Sequence, residues 1–291
     1  MRFDRLRQKW ENLPPPIIVF NKSHSGSRVL ARLLIQSGVY MGHDLNESED
    51  AADILRLVRP LVEQYYPHYS DMLRSDHPEL EALIESVFEH HLKNYRPGQR
   101  WGWKLCETVY ILPVLTRIFP NAHYVHLIRD GRDVAFSDHV APVEPFWRKI
   151  YFDTDKIAVW NRMRLKYRSY ERYAHIFNAR HWVNSVTLAR HYGAMIGEGY
   201  FEFRYEDLVL KPAETASHIL SSLNIAHDQN LLNTYAAELR SSAVGKYRMH
   251  SRAQQKQALT MLEPALTAAG YGEPVPQRTK FSLRSLLFSG R

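Results

Sequence analysis

The sequence holds one cysteine, Cys106, among 291 residues. A single thiol can neither close an intramolecular disulfide nor complete a cysteine-rich zinc cluster, so nothing calls for an oxidising compartment. A reducing cytoplasm is the expectation. Long apolar runs are also missing: the longest are a few residues, such as Ile17 to Phe20, against the roughly 18 that span a bilayer. The basic start MRFDRLRQKW leads into no apolar stretch, so neither a transmembrane segment nor an export signal is expected. Glycine (13) and proline (15) are sparse, and no linker-like tract or solenoid-period repeat occurs. Collagen-like, low-complexity and repeat architectures are thereby excluded. The expectation is one domain over 1–291, with a basic arm over 1–16 ending in Pro14-Pro15-Pro16 and a basic tail over 277–291. The tail carries an apolar patch from Leu286 to Phe288 that could make weak contact with an anionic membrane surface, although a frayed terminus explains it as well.

What is present is an ordinary globular composition, 45% hydrophobic and 24% charged, with a net charge of +7. The positive balance favours an anionic partner: nucleic acid, a phosphorylated cofactor, an acidic glycan or a membrane surface. Along the chain, short apolar runs alternate with helical periodicity. Strands are predicted at Ile17 to Phe20, Trp101 to Leu105, Tyr124 to Ile128 and Tyr200 to Phe203. Helices are predicted at Ser27 to Ser37, Ile111 to Phe119, from Gly131, and from Pro212 to about Leu223. Residues from Glu47 to Tyr95 read as polar-faced helices broken at Pro60, Pro67 and Pro78, forming a lid or substrate wall. Further helices rich in Arg, Tyr and Trp are expected from Asp155 to Met195.

Such alternation implies an α/β fold: three layers, a mostly parallel central sheet with helices on both faces, and helical lid insertions. Ligands of these sheets gather beyond the carboxyl ends of the strands. Polar clusters sit at those ends: Lys22, His24 and Ser25; Lys104 and Glu107; Arg129; Arg204 and Tyr205.

In NKSHSGSRVL a strand runs through a turn at Gly26 into a helix, which points backbone N–H groups at an anion. Lys22, Ser25, Ser27 and Arg28 add side-chain donors. It is not a Walker A loop, because no Gly-Lys-Ser/Thr ends it. An ordinary serine-capped turn is the competing reading. HLIRDGRDVAFSDH puts Arg129 at a strand end and Ser137 about two helical turns on, where the pair could grip a second phosphate. Arg132 and Asp133 fit a solvated helix start, with Asp133 favoured by the dipole. The remaining histidines, His90-His91 included, show no metal-ligand spacing, so no metal is expected. The basic, aromatic stretch from Phe146 to Tyr173 suits sugar stacking and helix packing equally.

Taken in order, SHSGSRVLARLL, HLIRDGRDVAFS, FRYEDLVLKP and SSAVGKYR resemble the sulfotransferases that use 3′-phosphoadenosine-5′-phosphosulfate (PAPS), over roughly Ile17 to Tyr271. The resemblance implies a P-loop-like α/β fold and transfer of a sulfuryl group from PAPS to a hydroxyl or amine, with adenosine 3′,5′-bisphosphate as product and no metal. It implies a 5′-phosphosulfate loop at Ser25, Gly26, Ser27 and Arg28, a 3′-phosphate grip at Arg129 and Ser137, and Tyr205 near adenine. Gly245, Lys246 and Arg248 match a late basic loop, and Lys104 falls where a family lysine approaches the transferred group. The sequence departs from the family at two places. His24 stands where relatives have Lys or Arg, leaving Lys22, His24 and Lys104 as candidates to face the leaving oxygen. Cys106 stands where cytosolic relatives have a catalytic histidine, leaving Glu107 or His24 as the base. The expected acceptor is a small molecule or glycan, with variable segments at 40–95 and 138–170 setting its identity. A Mg-dependent nucleotide phosphotransferase and a basic nucleic-acid-binding protein are the alternatives; the second leaves Arg129 and Ser137 without purpose, and no nucleic-acid partner is expected.

Overall fold

A computed structural model describes residues 3–138, 145–152, 168–240 and 242–272. Four short strands, β1 (Ile17–Phe20), β2 (Gly102–Lys104), β3 (His123–Ile128) and β4 (Tyr200–Arg204), form one parallel sheet in the order β2-β1-β3-β4. In register, Ile17 lies opposite both Gly102 and His123, and Val125 opposite Phe201. All four residues of β1 are buried, as a central parallel strand covered on both faces requires. Side chains alternate between the two layers. Ile18, Phe20, Trp103 and Tyr124 enter one core cluster, and Ile17, Val19, Val125 and Leu127 the other.

The second cluster packs against α2 (Ser27–Gln36), α10 (Tyr205–Leu210), α11 (Pro212–Ser222) and α12 (Gln229–Glu238). The first packs against α1 (Asp4–Trp10), α3 (Ala52–Tyr65), α4 (Tyr69–Met72), α5 (Pro78–His91), α6 (Leu112–Ile118) and α8 (Pro145–Phe152). The short α7 (Gly131–Ala135), the long α9 (Arg168–Ile196) and α13 (Arg252–Ala268) close a third cluster around Trp182 and Leu262.

Helix α3 runs through Pro60, where a break was expected. One interior hydrogen bond is lost there, yet Ile54, Leu57, Val58 and Leu61 are all fully buried, and that apolar face outweighs the roughly 3 kcal/mol a mid-helix proline costs. The segment read as a lid or substrate wall is thus built into the core. The predicted helix over Ile111 to Phe119 begins with a 3₁₀ turn, Cys106–Ile111. The tail over 277–291 and most of 138–170 lie outside the described residues.

A buried pair ties the α3/α5 layer to the sheet. His91, on α5, meets the Asp53 carboxylate through Nδ1 at 3.0 Å and the Gly102 carbonyl through Nε2 at 3.0 Å; both side chains are essentially inaccessible. Each ring nitrogen faces an acceptor, so removing the ring strands a buried carboxylate. His91→Ala is expected to cost about 3–5 kcal/mol of stability, measurable by urea denaturation. A loss below about 1 kcal/mol would show that the pair is not a fastening of this layer.

Candidate active site

Because the chain passes from β2 across β1 to β3, the carboxyl ends of β1 and β3 open onto one crevice. Beyond β1 the backbone turns sharply: Ser25 N–H donates to the Lys22 carbonyl, and His24 and Gly26 take φ of 67° and 87°. A Cβ on Gly26 would lie 2.3 Å from the Tyr205 ring, so only glycine fits between the turn and that ring. Helix α2 then starts with no side-chain cap, leaving its first N–H groups at the crevice. Ser25 and Ser27 are buried, while Arg28 is exposed on the first turn.

Lys22 is 1% exposed, and its ammonium has no hydrogen-bond partner. Burial pushes its pKa down to about 7, and the neighbouring Arg129 pushes the same way. The turn is propped from below. Asn21 Nδ2 donates to the Lys22 carbonyl at 2.6 Å, and the Cys106 thiol donates to Asn21 Oδ1 at 3.2 Å. Cys106 itself is driven upward by burial, so it serves here as a neutral strut. His24 is held below the ordinary imidazole range by burial, then by Lys22 and Arg129.

Arg129, at the end of β3, reaches across to this turn. One guanidinium nitrogen donates to the His24 carbonyl at 3.0 Å and the other to the Ala243 carbonyl at 2.6 Å. The guanidinium lies over the Tyr205 ring at 4.8 Å, and its buried Nε has no partner. Trp182 Nε1 donates to the Arg129 carbonyl at 2.9 Å, fixing the strand end. The late loop is therefore joined to the first turn through one arginine.

Asp133, read from sequence as part of a solvated helix start, is 3% exposed. Its carboxylate accepts from the N–H groups of Gly245 (2.7 Å) and Tyr247 (3.0 Å). It fastens the late loop, whose Gly245 sits at φ 78°. Sequence reasoning missed this role because the partners are more than a hundred residues away. Arg132 chelates Asp130 and faces the Tyr247 ring at 4.9 Å, with Arg248 at 5.0 Å from that ring. Lys246 and Arg248 are exposed. In the Arg-Tyr-Glu-Asp run, Glu206 accepts from the Asp130 N–H and the Tyr271 hydroxyl, pinning the end of β3.

Ser137 lies just past the end of α7. Helix α7 ends at Ala135 after little more than one turn, and the Ser137 hydroxyl donates to the Val134 carbonyl at 2.8 Å. Lys104 is also engaged, donating at 2.6 Å to both Asp50 Oδ1 and the Ser48 carbonyl. Glu107 is half-buried and accepts from the Tyr151 hydroxyl at 2.5 Å. Burial raises its pKa, with the Tyr151 hydrogen bond opposing.

The model of the sulfotransferase family matches residues 15–229. The chain belongs to the sulfotransferase family. The matched stretch contains the turn after β1, Arg129 and the Arg-Tyr-Glu-Asp run. No curated protein matches the sequence. Among solved structures, sulfotransferase STF1 of Mycobacterium tuberculosis superposes with a TM-score of 0.52 at 13% identity, over 89% of this chain and 81% of that one. The sulfotransferase of Alicyclobacillus acidocaldarius gives 0.51 at 10% identity, over 90% and 97%. Sulfotransferase STF9 of Mycobacterium avium gives 0.50 at 12%, over 90% and 81%. At these identities the likeness is one of fold. Among the described residues, no helix is long and apolar enough to cross a membrane, and no group of three His, Cys, Asp or Glu is placed to hold a metal ion.

Proposed function

We propose that this sulfotransferase takes its sulfuryl group from PAPS and delivers it to a hydroxyl, or an amine, of a carbohydrate or other small acceptor. The observation carrying the donor assignment is a pair of buried cationic donors without partners, Lys22 Nζ and Arg129 Nε. They lie on two turns joined by the Arg129 guanidinium. A buried cation without a carboxylate is costly unless an anion completes it, and a nucleotide with phosphates on both sides of its ribose supplies two. The uncapped start of α2, with Ser25 and Ser27, would hold the 5′-phosphate side. Arg129, with Lys246 and Arg248 of the late loop, would hold the 3′-phosphate. The lone cysteine supports a cytoplasmic setting.

When bound, the donor supplies a sulfuryl group on a phosphate leaving oxygen: that S–O bond breaks as one to the acceptor oxygen forms. Of the candidates Lys22, His24 and Lys104, the unpartnered Lys22 would neutralise the charge that grows on the leaving oxygen, the place where a fixed cation lowers the barrier most. Glu107 takes the acceptor proton; its raised pKa suits a base at neutral pH, and Tyr151 holds the carboxylate in one orientation. Glu107→Gln keeps the shape and removes the base. Turnover should fall about a hundredfold, the low end of general-base contributions, because a loose transition state asks little of the base. Near-normal turnover would remove Glu107 from the role and leave His24.

Thermal unfolding tests the donor assignment directly. Adenosine 3′,5′-bisphosphate should raise the unfolding temperature more than ADP or AMP at equal concentration, since only the first offers a separate 3′-phosphate. Equal shifts from all three would overturn it. A larger shift from ATP with Mg²⁺ would favour the phosphotransferase reading.

A further inference from the structure

The segment between α2 and α3 folds onto the end of β2. Leu45 and Ala51 pair as an antiparallel bridge. The turn between them closes on Asn46, whose side-chain oxygen accepts from the Ser48 N–H at 2.8 Å and the Asp50 N–H at 3.0 Å, while the Asn46 N–H donates to the Asp50 carbonyl at 3.0 Å. Two further contacts fasten the turn to its neighbours: the Ala51 N–H donates to the Lys104 carbonyl at 3.0 Å, and Arg32 of α2 meets Glu49 at 3.4 Å. Asp50 is thereby presented to the buried Lys104 side chain. The ammonium gives one 2.6 Å hydrogen bond to Asp50 Oδ1 and another to the Ser48 carbonyl, and the Asp50 side chain remains 20% exposed at the rim.

Three residues beyond Lys104 stands Glu107. The titratable groups that face its carboxyl are Tyr151 of α8, Asp50 of the turn, Lys104 of β2, and Cys106 and Tyr110 of its own 3₁₀ turn. Burial pushes Tyr151, Cys106 and Tyr110 upward, so these three are neutral near pH 7. The charges acting on Glu107 are therefore an opposed pair, Asp50 raising its pKa and Lys104 lowering it. A buried ammonium requires an anionic partner. Within this group, the carboxylate left to Lys104 without Asp50 is Glu107. A carboxylate that pairs with a cation becomes a weaker base by about 1–3 pH units, and basicity is what a proton acceptor needs.

We propose that Asp50 is a positioning residue for the reaction: it takes up the Lys104 ammonium and so leaves the Glu107 carboxylate free to accept a proton. Lys104 then acts as a tether for the turn and stays off the transferred group. The proposal rests on the reading of Glu107 as the base.

The test reads Glu107 directly. In protein labelled with carboxyl-¹³C glutamate, the resonance absent from Glu107→Gln is followed against pH in the free enzyme. Asp50→Asn keeps the shape and removes the charge, and the Glu107 midpoint should fall by about 1–2 pH units. Adding Lys104→Met removes the cation as well and should bring the midpoint back to within about 0.5 pH unit of wild type. Hydrolysis of PAPS, with water as the acceptor and released adenosine 3′,5′-bisphosphate as the readout, should fall about tenfold in Asp50→Asn and recover in the double variant. Thermal unfolding shows that each variant folds. An unmoved midpoint in Asp50→Asn, or one that stays low in the double variant, would overturn the proposal. So would hydrolysis that drops further once Lys104 is replaced, which would put Lys104 on the sulfuryl group itself. The expected midpoints beside normal PAPS hydrolysis by Glu107→Gln would uphold the pairing of Asp50 with Lys104 and overturn Glu107 as the base instead.

Discussion

Arg129→Ala is expected to erase the preference for adenosine 3′,5′-bisphosphate over ADP and to lower kcat/KM about a thousandfold. Two losses add. The first is the charge-assisted contact proposed to the 3′-phosphate, which at about 1.5–3 kcal/mol would account for one to two powers of ten. The second is geometric: with the guanidinium gone, the His24 and Ala243 carbonyls lose their common donor, and the turn after β1 is no longer held to the late loop. A misplacement of about 1 Å between donor and base costs roughly a further hundredfold. Arg129→Lys separates the two losses. It restores the charge but offers a point cation rather than a fork, so it should recover part of the bisphosphate affinity and little of the turnover. Calorimetry with both nucleotides, beside thermal unfolding to show that the variant folds, reads the outcome. A variant that still prefers the 3′,5′-bisphosphate would show that Arg129 is a structural bridge alone.

The parts of this arrangement visible in the sequence are those made by neighbours along the chain. The two central strands, Ile17–Phe20 and His123–Ile128, are short, largely apolar runs that end where polar side chains begin, so their ends, and the crevice beyond them, follow from local pattern. The turn at Gly26 is similarly local, because a strand, a glycine and an uncapped helix suffice to expose N–H groups. What escaped were pairings between distant segments. The sequence leaves Asp133 looking like a solvated helix start, yet its partners are Gly245 and Tyr247. Cys106 stands out as a missing histidine, but its contact with Asn21 depends on β1 and β2 lying side by side. Pro60 signals a break that the apolar face of α3 overrides. Local propensity cannot weigh tertiary contact and burial, and Asp133, Cys106 and Pro60 are each decided by them.

Lys22→Met should reduce kcat about a thousandfold and change the shape of the pH profile as well as its height. A fixed donor at a charge that develops in the transition state is worth about 10²–10³, and an ammonium at the leaving oxygen stands at the upper end. The sign of the pH effect follows from burial. In the free enzyme the Lys22 pKa is lowered from 10.5 to about 7, so the charged form needed to bind an anion is lost as the pH rises through 7. The alkaline limb of kcat/KM, which reports the free enzyme, should therefore begin near pH 7 and fall about tenfold per pH unit. Bound donor returns an anionic partner to the ammonium and raises its pKa, so the limb of kcat should lie at higher pH. Stability of the free protein moves the opposite way. Between about 7 and 10.5 the unfolded chain holds the Lys22 proton and the folded one does not, so this residue adds stability as the pH rises. Methionine abolishes both dependences while filling nearly the same volume, and the wild-type minus variant difference isolates them from the titration of other groups. If the kcat/KM limb near pH 7 persists in Lys22→Met, another group faces the leaving oxygen, and His24, also held below its ordinary range, is next to be changed.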